Sequence, residues 1–551
     1  MKENYMKHID QRLWWIIGCT AVVLLFRISH VDMVGDDATY SVRSIGLVDF
    51  LFTAQQETPL HWFTEMPFWT ELSFHDHPIL LFLIQFVFLS IHASVFFAKL
   101  PFVLMALGAL FFTYQWTVAV SRRKEIGLIS ALLLALNAQF IWAGRVSYLE
   151  AGVIFFLALT MWSFFRFLDD KKRWWQFGIV LGLTLLTKFS TLFIIPTMVL
   201  FLLWQERHVW RLPEWYWAFG LAGFINLPTI IYNLAMYRTR GHFSLQFVRL
   251  FGQVSPWTLE GIHNNLFQSL WGLVLNLGQL ISWPYLLAAI VAIVFSMREK
   301  SRHGRFVLLG LFFLTIQQVF TGPGGHALAP YSILMAPLIA FAVDRVWDKA
   351  KVIQIVGTAL CIYLGFFVGN SHLTIRHIGP VGWVYSMSSS NNFGVFQLDQ
   401  YLSELIATRG PWNRFDIYRH VKRKDPRLHQ YLANVPDDVM REQKAHSTII
   451  MYDRRIKWFT RLWLFERRRF YENLPFVETG EQYVLSQITV SYLYFIRATD
   501  AAPLDSGAAD TGAEVEDLFV RANVVPHLIY RDDGAVAFKI YEADASLLPA
   551  K

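Results

Sequence analysis

The sequence predicts a polytopic α-helical membrane protein with a soluble α+β domain at its C-terminal end. Of its 551 residues, 54% are hydrophobic and only 17% are charged. Several apolar segments approach the roughly 20 residues that a membrane-spanning helix needs. These long unbroken runs exclude a transmembrane barrel, whose strands alternate in polarity. After Val368 the composition becomes mixed polar and apolar. We therefore predict a membrane domain over 1–369 and a soluble domain over 370–551.

Clusters of lysine and arginine predict which ends of the helices face the cytoplasm. Such clusters occur at 121–124, 171–173, 207–211, 298–305 and 345–351, and cytoplasmic loops are enriched in these residues. They also account for the net charge of +7, so a nucleic-acid partner is not indicated. Counting apolar runs between the clusters gives about 11–12 transmembrane helices. The predicted single crossings are 13–28, 95–120, 126–142, 151–168, 174–186, 189–204, 215–232, 283–297, 306–320, 331–343 and 352–368.

Two regions near the start of the chain are not predicted to cross the membrane as full spans. The run 79–91 is short for a crossing, and we expect it to be half-inserted or to lie at the membrane surface. The first loop, 30–77, is predicted to lie on the outer face and is rich in Trp, Phe and Glu, which suits helices in the membrane interface.

The C-terminal domain shows a weaker but readable pattern. Apolar residues at helical spacing predict a helix over 396–406, and β-branched and aromatic residues predict strands within 447–452, 483–496 and 525–541. Asp532-Asp533-Gly534 is typical of a hairpin turn. The acidic segment 499–516 has few large apolar residues and is expected to be a flexible loop.

The most informative short motif is Asp36-Asp37, which follows the first apolar run. Two adjacent carboxylates at a membrane boundary are costly unless they hold a proton, a cation or a substrate. Gly35 allows the backbone to turn sharply ahead of them. The plain alternative is a solvated helix cap.

Further polar residues are predicted to lie on the same outer face. His75 and His77 flank an Asp and suggest a metal site, although such a pair is more often a helix start before a proline. Arg145 and Glu150 follow a predicted crossing, and they could simply form an interfacial ion pair. Lys188 lies between two apolar segments.

A glycine-rich turn adds one more polar group to this face. It precedes His326, Pro330 and Tyr331, and its backbone amides could bind an anion. Acids facing fixed cations at this depth suit transfer from a lipid-linked sugar phosphate. A carboxylate takes the acceptor proton while the cations stabilise the departing phosphate.

Taken in order, the motifs resemble those of GT-C membrane glycosyltransferases of the family 39 and aminoarabinose-transferase type. The resemblance covers about 13–368, and its matching segments are Asp36-Asp37, His77-Pro78, Arg145 with Glu150, 182–188 ending in Lys188, and 326–330 beginning at His326. Ile79, Asp37 and Ala327 depart from the usual residues, which puts the sugar and acceptor in question more than the reaction class.

The resemblance implies a GT-C fold and an inverting transfer from a polyprenyl-phosphate sugar. It makes Asp36 the candidate base, with Asp37 sharing its titration or positioning the acceptor. Glu150 would orient Arg145 or help to hold the sugar. No cofactor is required, although Asp36, Asp37 and Glu150 could hold a divalent cation, as in some GT-C enzymes. The residues assigned to the donor are Arg145, Lys188, His326, Tyr331, His75 and His77.

The expected partners are a polyprenyl-phosphate sugar, membrane lipids, and a lipid, glycan or protein acceptor. The expected location is a bacterial-type cell (inner) membrane, with the C-terminal domain outside the cytoplasm. One alternative is a transporter or flippase for a polyprenyl-linked glycan, which would place ionisable residues near the middle of the membrane. Another is a non-catalytic GT-C scaffold that binds a lipid carrier.

Overall fold

The computed structural model describes residues 10–45, 77–240, 266–299, 301–321, 325–346, 351–385, 392–409, 447–472, 474–481 and 490–544, and the single residues 243, 412 and 546. Its contacts divide the chain into two compact units. The membrane unit comprises Met1–Ile28 and Phe74–Ser390, and the C-terminal unit comprises Ser29–Ser73 and Asn391–Lys551. The segment that carries Asp36 and Asp37 thus belongs with the C-terminal unit. The predicted boundary between residues 369 and 370 marks where the chain leaves the membrane, and it stays a prediction.

The membrane unit is helical throughout its described part, which confirms the predicted fold class. Six described helices are long and apolar enough to cross a membrane, or seven if one bent pair forms a single span. The other predicted crossings correspond to shorter helices, so the count of 11–12 stays a prediction. The helices are Gln11–Leu25, Leu80–Ile91, Val95–Ser121, Lys124–Ala135, Ala138–Arg145, Glu150–Asp169, Trp174–Leu185, Ile194–Gln205, Pro213–Ile225, Leu227–Arg240, Leu266–Ile281, Trp283–Glu299, Arg302–Thr321, Pro330–Val346 and Lys351–His372.

The helix Val95–Ser121 lies at the centre of this unit. It is apolar on all sides, as expected for a helix that packs against several others. Its neighbours include Gln11–Leu25, Lys124–Ala135 and Glu150–Asp169. The preceding helix, Leu80–Ile91, has only 12 residues, in keeping with the prediction that 79–91 is short for a crossing.

Three predicted crossings are interrupted, and one helix was not predicted. The run 126–142 forms two helices bent by 66°, because the Asn137 side chain accepts from Phe140 N at 3.0 Å and starts a second helix. The run 189–204 begins as the 3₁₀ turn Phe189–Phe193. The run 215–232 breaks at Asn226, which donates to the Gly182 carbonyl at 3.0 Å. Leu266–Ile281 was missed because Gln, Ser and Asn residues interrupt its apolar run.

The C-terminal unit is built on a five-stranded mixed sheet with strand order β2-β1-β3-β5-β4. β1 is parallel to β2 and β3, whereas β5 is antiparallel to β3 and β4. Successive side chains of β1 face opposite sides, so one face packs on the helix Val395–Thr408 and the other on Gly512–Arg521. The strands are β1 Ser447–Tyr452, β2 Phe476–Glu478, β3 Val490–Ala498, β4 His527–Tyr530 and β5 Val536–Asp544.

This arrangement confirms the predicted α+β domain, with one correction. β4 and β5 form the predicted hairpin. The prediction of a flexible loop over 499–516 is wrong. Arg497 holds Asp510 and contacts Glu516 at 2.9 Å, and the helix Gly512–Arg521 begins within this segment. The acidic residues that suggested disorder are thus partners of a buried arginine.

A helical segment over 458–471 was also missed. It contains one π turn, Leu462–Glu466, and we call it the π helix. Tyr452 donates from its hydroxyl to Glu466 Oε1 at 2.5 Å, and Arg469 lies 3.2 Å from the same oxygen. Burial raises the pKa of Glu466 to about 7, against the opposing effects of Tyr452 and Arg461.

The raised pKa of Glu466 predicts a specific pH dependence of stability. The folded state binds this proton more tightly than the unfolded chain, so stability should fall as pH rises from about 4.5 through about 7, by on the order of 3 kcal/mol. Replacing Glu466→Gln should remove this loss. The gap in thermal unfolding temperature between pH 5 and pH 8 should therefore be smaller for the variant than for the wild type. An equal gap in both proteins would contradict the assignment.

Candidate functional site

The two aspartates open a helix, Asp36–Ile45, which we call the aspartate helix. Gly35 precedes it with φ of +86°, a conformation that favours glycine. Both carboxylates lie in the first turn, where the helix dipole favours negative charge. Asp37 is buried and accepts from Ala38 N at 2.8 Å. Tyr40 donates toward Asp36 Oδ2 at 3.5 Å.

In the membrane unit, Glu150 and Lys188 form a buried ion pair. Lys188 Nζ donates to Glu150 Oε1 at 2.6 Å, and their side chains are only 4% and 2% exposed. Glu150 opens the helix Glu150–Asp169, so its carboxylate also lies at a positive helix end. Its second oxygen, Oε2, has no hydrogen-bond partner among the described residues. The pair therefore offers one unused acceptor inside a buried polar site.

Lys188 is held at a break between helices. Its backbone is extended, between the helix Trp174–Leu185 and a 3₁₀ turn. Breaks in an apolar environment need internal partners for their backbone groups. Two threonines provide them: Thr187 donates to the Thr184 carbonyl at 2.6 Å, and Thr191 donates to the Lys188 carbonyl at 2.8 Å. Gln317 adds a further bond to Phe189 O at 3.1 Å.

Two histidines predicted from the sequence lie close to this ion pair. Both His326 and His77 lie within electrostatic range of Glu150, as Lys188 does. The His326 ring lies 5.7 Å from the Tyr148 ring. The structure thus brings together four of the predicted residues: Glu150, Lys188, His77 and His326.

Arg145 has a different set of contacts. It ends the helix Ala138–Arg145 and is 1% exposed. Its guanidinium donates to the Val23 and Leu24 carbonyls, at 2.5 and 3.2 Å, near the end of the first helix. A cation there satisfies carbonyls that lack helical partners. The contact that the structure gives Glu150 is to Lys188, so the expected orienting of Arg145 by Glu150 stays a prediction.

Tyr331 and His75 complete the predicted set. Tyr331 is buried, and its hydroxyl pairs with the Thr315 hydroxyl at 2.9 Å, so it ties two helices together. His75 lies outside the described residues, as does most of the glycine-rich turn before His326. Among the described residues, no group of three or more His, Cys, Asp or Glu side chains could hold a metal ion.

No sequence motif indicates Tyr385, which the fold places near the ion pair. Tyr385 is 1% exposed, and its hydroxyl has no partner among the described residues. Tyr385 lies within electrostatic range of Glu150. The centre of its ring lies 6.0 Å from that of the Trp142 ring. Trp142 in turn contacts Tyr148 at 4.9 Å. Ring contacts thus lead from Tyr385 through Trp142 and Tyr148 to His326, and no local sequence motif indicates this chain of contacts.

Comparison with known proteins supports the fold. No curated protein sequence matches the chain. Residues 76–232 match the family model for dolichyl-phosphate-mannose-protein mannosyltransferase. The structure of ArnT from Cupriavidus metallidurans bound to undecaprenyl phosphate matches with a TM-score of 0.55 at 12% identity, covering 98% of this chain and 99% of that one. The chain has a GT-C fold.

The structure of the same ArnT in the apo state also resembles this chain. It matches with a TM-score of 0.51 at 13% identity, covering 98% and 99% of the two chains. Similarity at this identity establishes the shared fold.

The buried ion pair predicts coupled effects of two substitutions. Lys188→Met should destabilise the protein by about 3–5 kcal/mol, because it leaves the Glu150 charge unpaired in a buried site. Adding Glu150→Gln should recover part of that loss. Thermal unfolding of the purified protein in detergent would measure the effect, with Lys172→Met as an exposed control expected to change stability by less than about 0.5 kcal/mol. If the stability changes caused by Lys188→Met and Glu150→Gln simply added in the double variant, a direct interaction between the two side chains would be contradicted.

Proposed function

We propose that this protein is an inverting glycosyltransferase of the GT-C type. It would move a sugar from a polyprenyl-phosphate donor to an envelope lipid, glycan or protein acceptor at the extracytoplasmic face of the cell membrane. The observation that carries the proposal is the buried Glu150–Lys188 pair, with His77 and His326 beside it. Buried charges of this kind in a membrane protein indicate a polar substrate.

The proposed reaction is a single displacement. The acceptor oxygen attacks the anomeric carbon on the face opposite the phosphate, while Asp36 takes the acceptor proton. The bond between the anomeric carbon and the phosphate oxygen breaks, and polyprenyl phosphate leaves with the electron pair. Lys188, Arg145 and His326 would stabilise the negative charge on this leaving group. The ArnT relative was crystallised with undecaprenyl phosphate, which supports a donor of this class.

Asp37, Glu150 and the remaining predicted groups have supporting roles in this proposal. Asp37 would share the titration of Asp36 or position the acceptor. Glu150 would hold Lys188 in place and offer Oε2 to the sugar. His77, His75 and Tyr331 are proposed to line the donor site.

Replacing Asp36→Asn tests the base. We expect transfer to fall by at least 10²-fold, because the amide cannot take the proton. Mass spectrometry of envelope glycans would compare cells lacking the protein with cells complemented by wild type, Asp36→Asn or the surface control Asp517→Asn. Only the Asp36 variant should fail to restore the modified glycan, while it still binds undecaprenyl phosphate when purified.

The same comparison separates the alternatives. Near-normal modification by Asp36→Asn would remove Asp36 as the base. Glycans of unchanged composition that accumulate on the cytoplasmic side in the deleted cells would favour a flippase. Unchanged glycans in every strain would favour a non-catalytic scaffold.

The proposal requires no metal ion. Carboxylates such as Asp36, Asp37 and Glu150 suit Mg²⁺ or Mn²⁺, but Glu150 already gives one oxygen to Lys188. Transfer in membrane vesicles should therefore change by less than about twofold when EDTA is added. Loss of transfer with EDTA and recovery with Mg²⁺ or Mn²⁺ would instead establish a metal at these carboxylates.

A further inference from the structure

The segment before the aspartate helix is anchored inside the C-terminal unit by Asp32. This side chain is 3% exposed. Its Oδ1 accepts from Phe396 N at 2.8 Å, and its Oδ2 accepts from Phe393 N. Phe396 is the second residue of the helix Val395–Thr408, which we call the domain helix, and Phe393 precedes its N-cap residue. Asp32 therefore occupies the place of a capping residue although it lies 364 positions away from Phe396.

The N-cap residue of the domain helix has no side chain for this purpose. Its N-cap is Gly394, with φ of +84° and no capping side chain. The first amides of a helix lack internal partners, so a carboxylate there is favourable. The domain helix is thus completed by a residue from the first loop.

A second set of contacts holds the same segment. Asn392 donates to the His30 carbonyl at 3.2 Å, and the His30 ring lies 4.3 Å from the Phe396 ring. Val34 packs against the apolar cluster of the C-terminal unit. Polar and apolar contacts together therefore fix the backbone immediately before the aspartates.

The domain helix, the π helix and the aspartate helix are connected with one another by these and further contacts. Asp399 of the domain helix binds Arg467 and Arg468 of the π helix at 2.7 and 2.8 Å. The π helix also packs against the aspartate helix. Only three residues separate Asp32 from Asp36. A displacement of Asp32 should therefore also displace the carboxylates of Asp36 and Asp37, because so short a segment cannot absorb it.

We propose that Asp32 is a positioning residue for the Asp36–Asp37 pair. This inference rests on the proposed function, because it assumes that Asp36 acts as the base. By capping the domain helix, Asp32 fixes the start of the aspartate helix against the C-terminal unit. The C-terminal domain then has a direct role in catalysis, since it sets the geometry of the base.

The first measurement is hydrogen–deuterium exchange of the full-length protein in detergent. Asp32→Ala should increase exchange in 33–45 and 393–398, because both segments lose their shared anchor. Asp32→Asn should give a smaller increase, since its single carbonyl oxygen can still accept one amide. The matched control is Asp510→Ala. Asp510 caps the helix Gly512–Arg521 of the same unit through Ala513 N at 3.1 Å, and its loss should not change exchange in 33–45.

The second measurement is the initial rate of glycan modification after induction in complemented cells, at matched amounts of folded protein. Asp32→Ala should lower this rate by about ten- to hundredfold, because small displacements of a reacting group have effects of this size. Asp32→Asn should recover part of it. Affinity of the purified protein for undecaprenyl phosphate should change by less than about twofold, because the proposal assigns phosphate binding to Lys188, Arg145 and His326 and not to Asp32.

The outcomes separate the two proposals. If Asp36→Asn is inactive but Asp32→Ala is fully active per folded molecule, the positioning role is overturned and the proposed function stands. If Asp36→Asn is active, the base assignment fails whatever Asp32 does. If Asp510→Ala lowers the rate as strongly as Asp32→Ala, the effect is general to the domain and the role of Asp32 is overturned. Should Asp32→Ala fail to fold, Asp32→Asn carries the same comparison.

Discussion

Pairing of buried charge is the constraint on which the rest of this structure depends. Lys188 and Glu150 lie in apolar surroundings, where either charge alone would be expensive. Each stabilises the other at 2.6 Å, and the chain breaks its helices to bring them together. The threonines around the break then satisfy the exposed backbone groups. A permanent polar site inside an apolar bundle follows from these linked requirements.

The C-terminal unit meets the same constraint with arginine. Arg467 and Arg468 are almost fully buried, and both bind Asp399. Arg497 is surrounded by Asp453, Asp510 and Glu516. The planar guanidinium suits such multiple contacts better than lysine does. These networks give the domain fixed junctions between its helices and its sheet.

The membrane fold could be predicted from the sequence because apolar runs report directly on spanning helices. The Asp, Lys and His residues at the ends of those runs could be singled out for the same reason. The pairing of Glu150 with Lys188 could not, since 38 positions separate them and no local rule links them. The π helix was missed because its three consecutive arginines suggest exposure, whereas Asp399 and Glu466 pair with them.

The contacts of Asp32 are the clearest example of what cannot be predicted from neighbouring residues in the sequence. Beside Asp36 and Asp37 it is one more acidic residue of a loop, and its partners are amides from the distant end of the chain. Hydrophobic periodicity carries no information on such a contact.

The C-terminal unit is built from two separate segments of the chain, and this has a practical consequence for the design of hybrid proteins. Because Ser29–Ser73 is grouped with Asn391–Lys551, exchanging only the C-terminal part with a relative would separate a helix from its cap. A workable chimera should carry both pieces from the same parent. During divergence of such proteins, the two pieces are expected to change together, as a single module encoded in two parts.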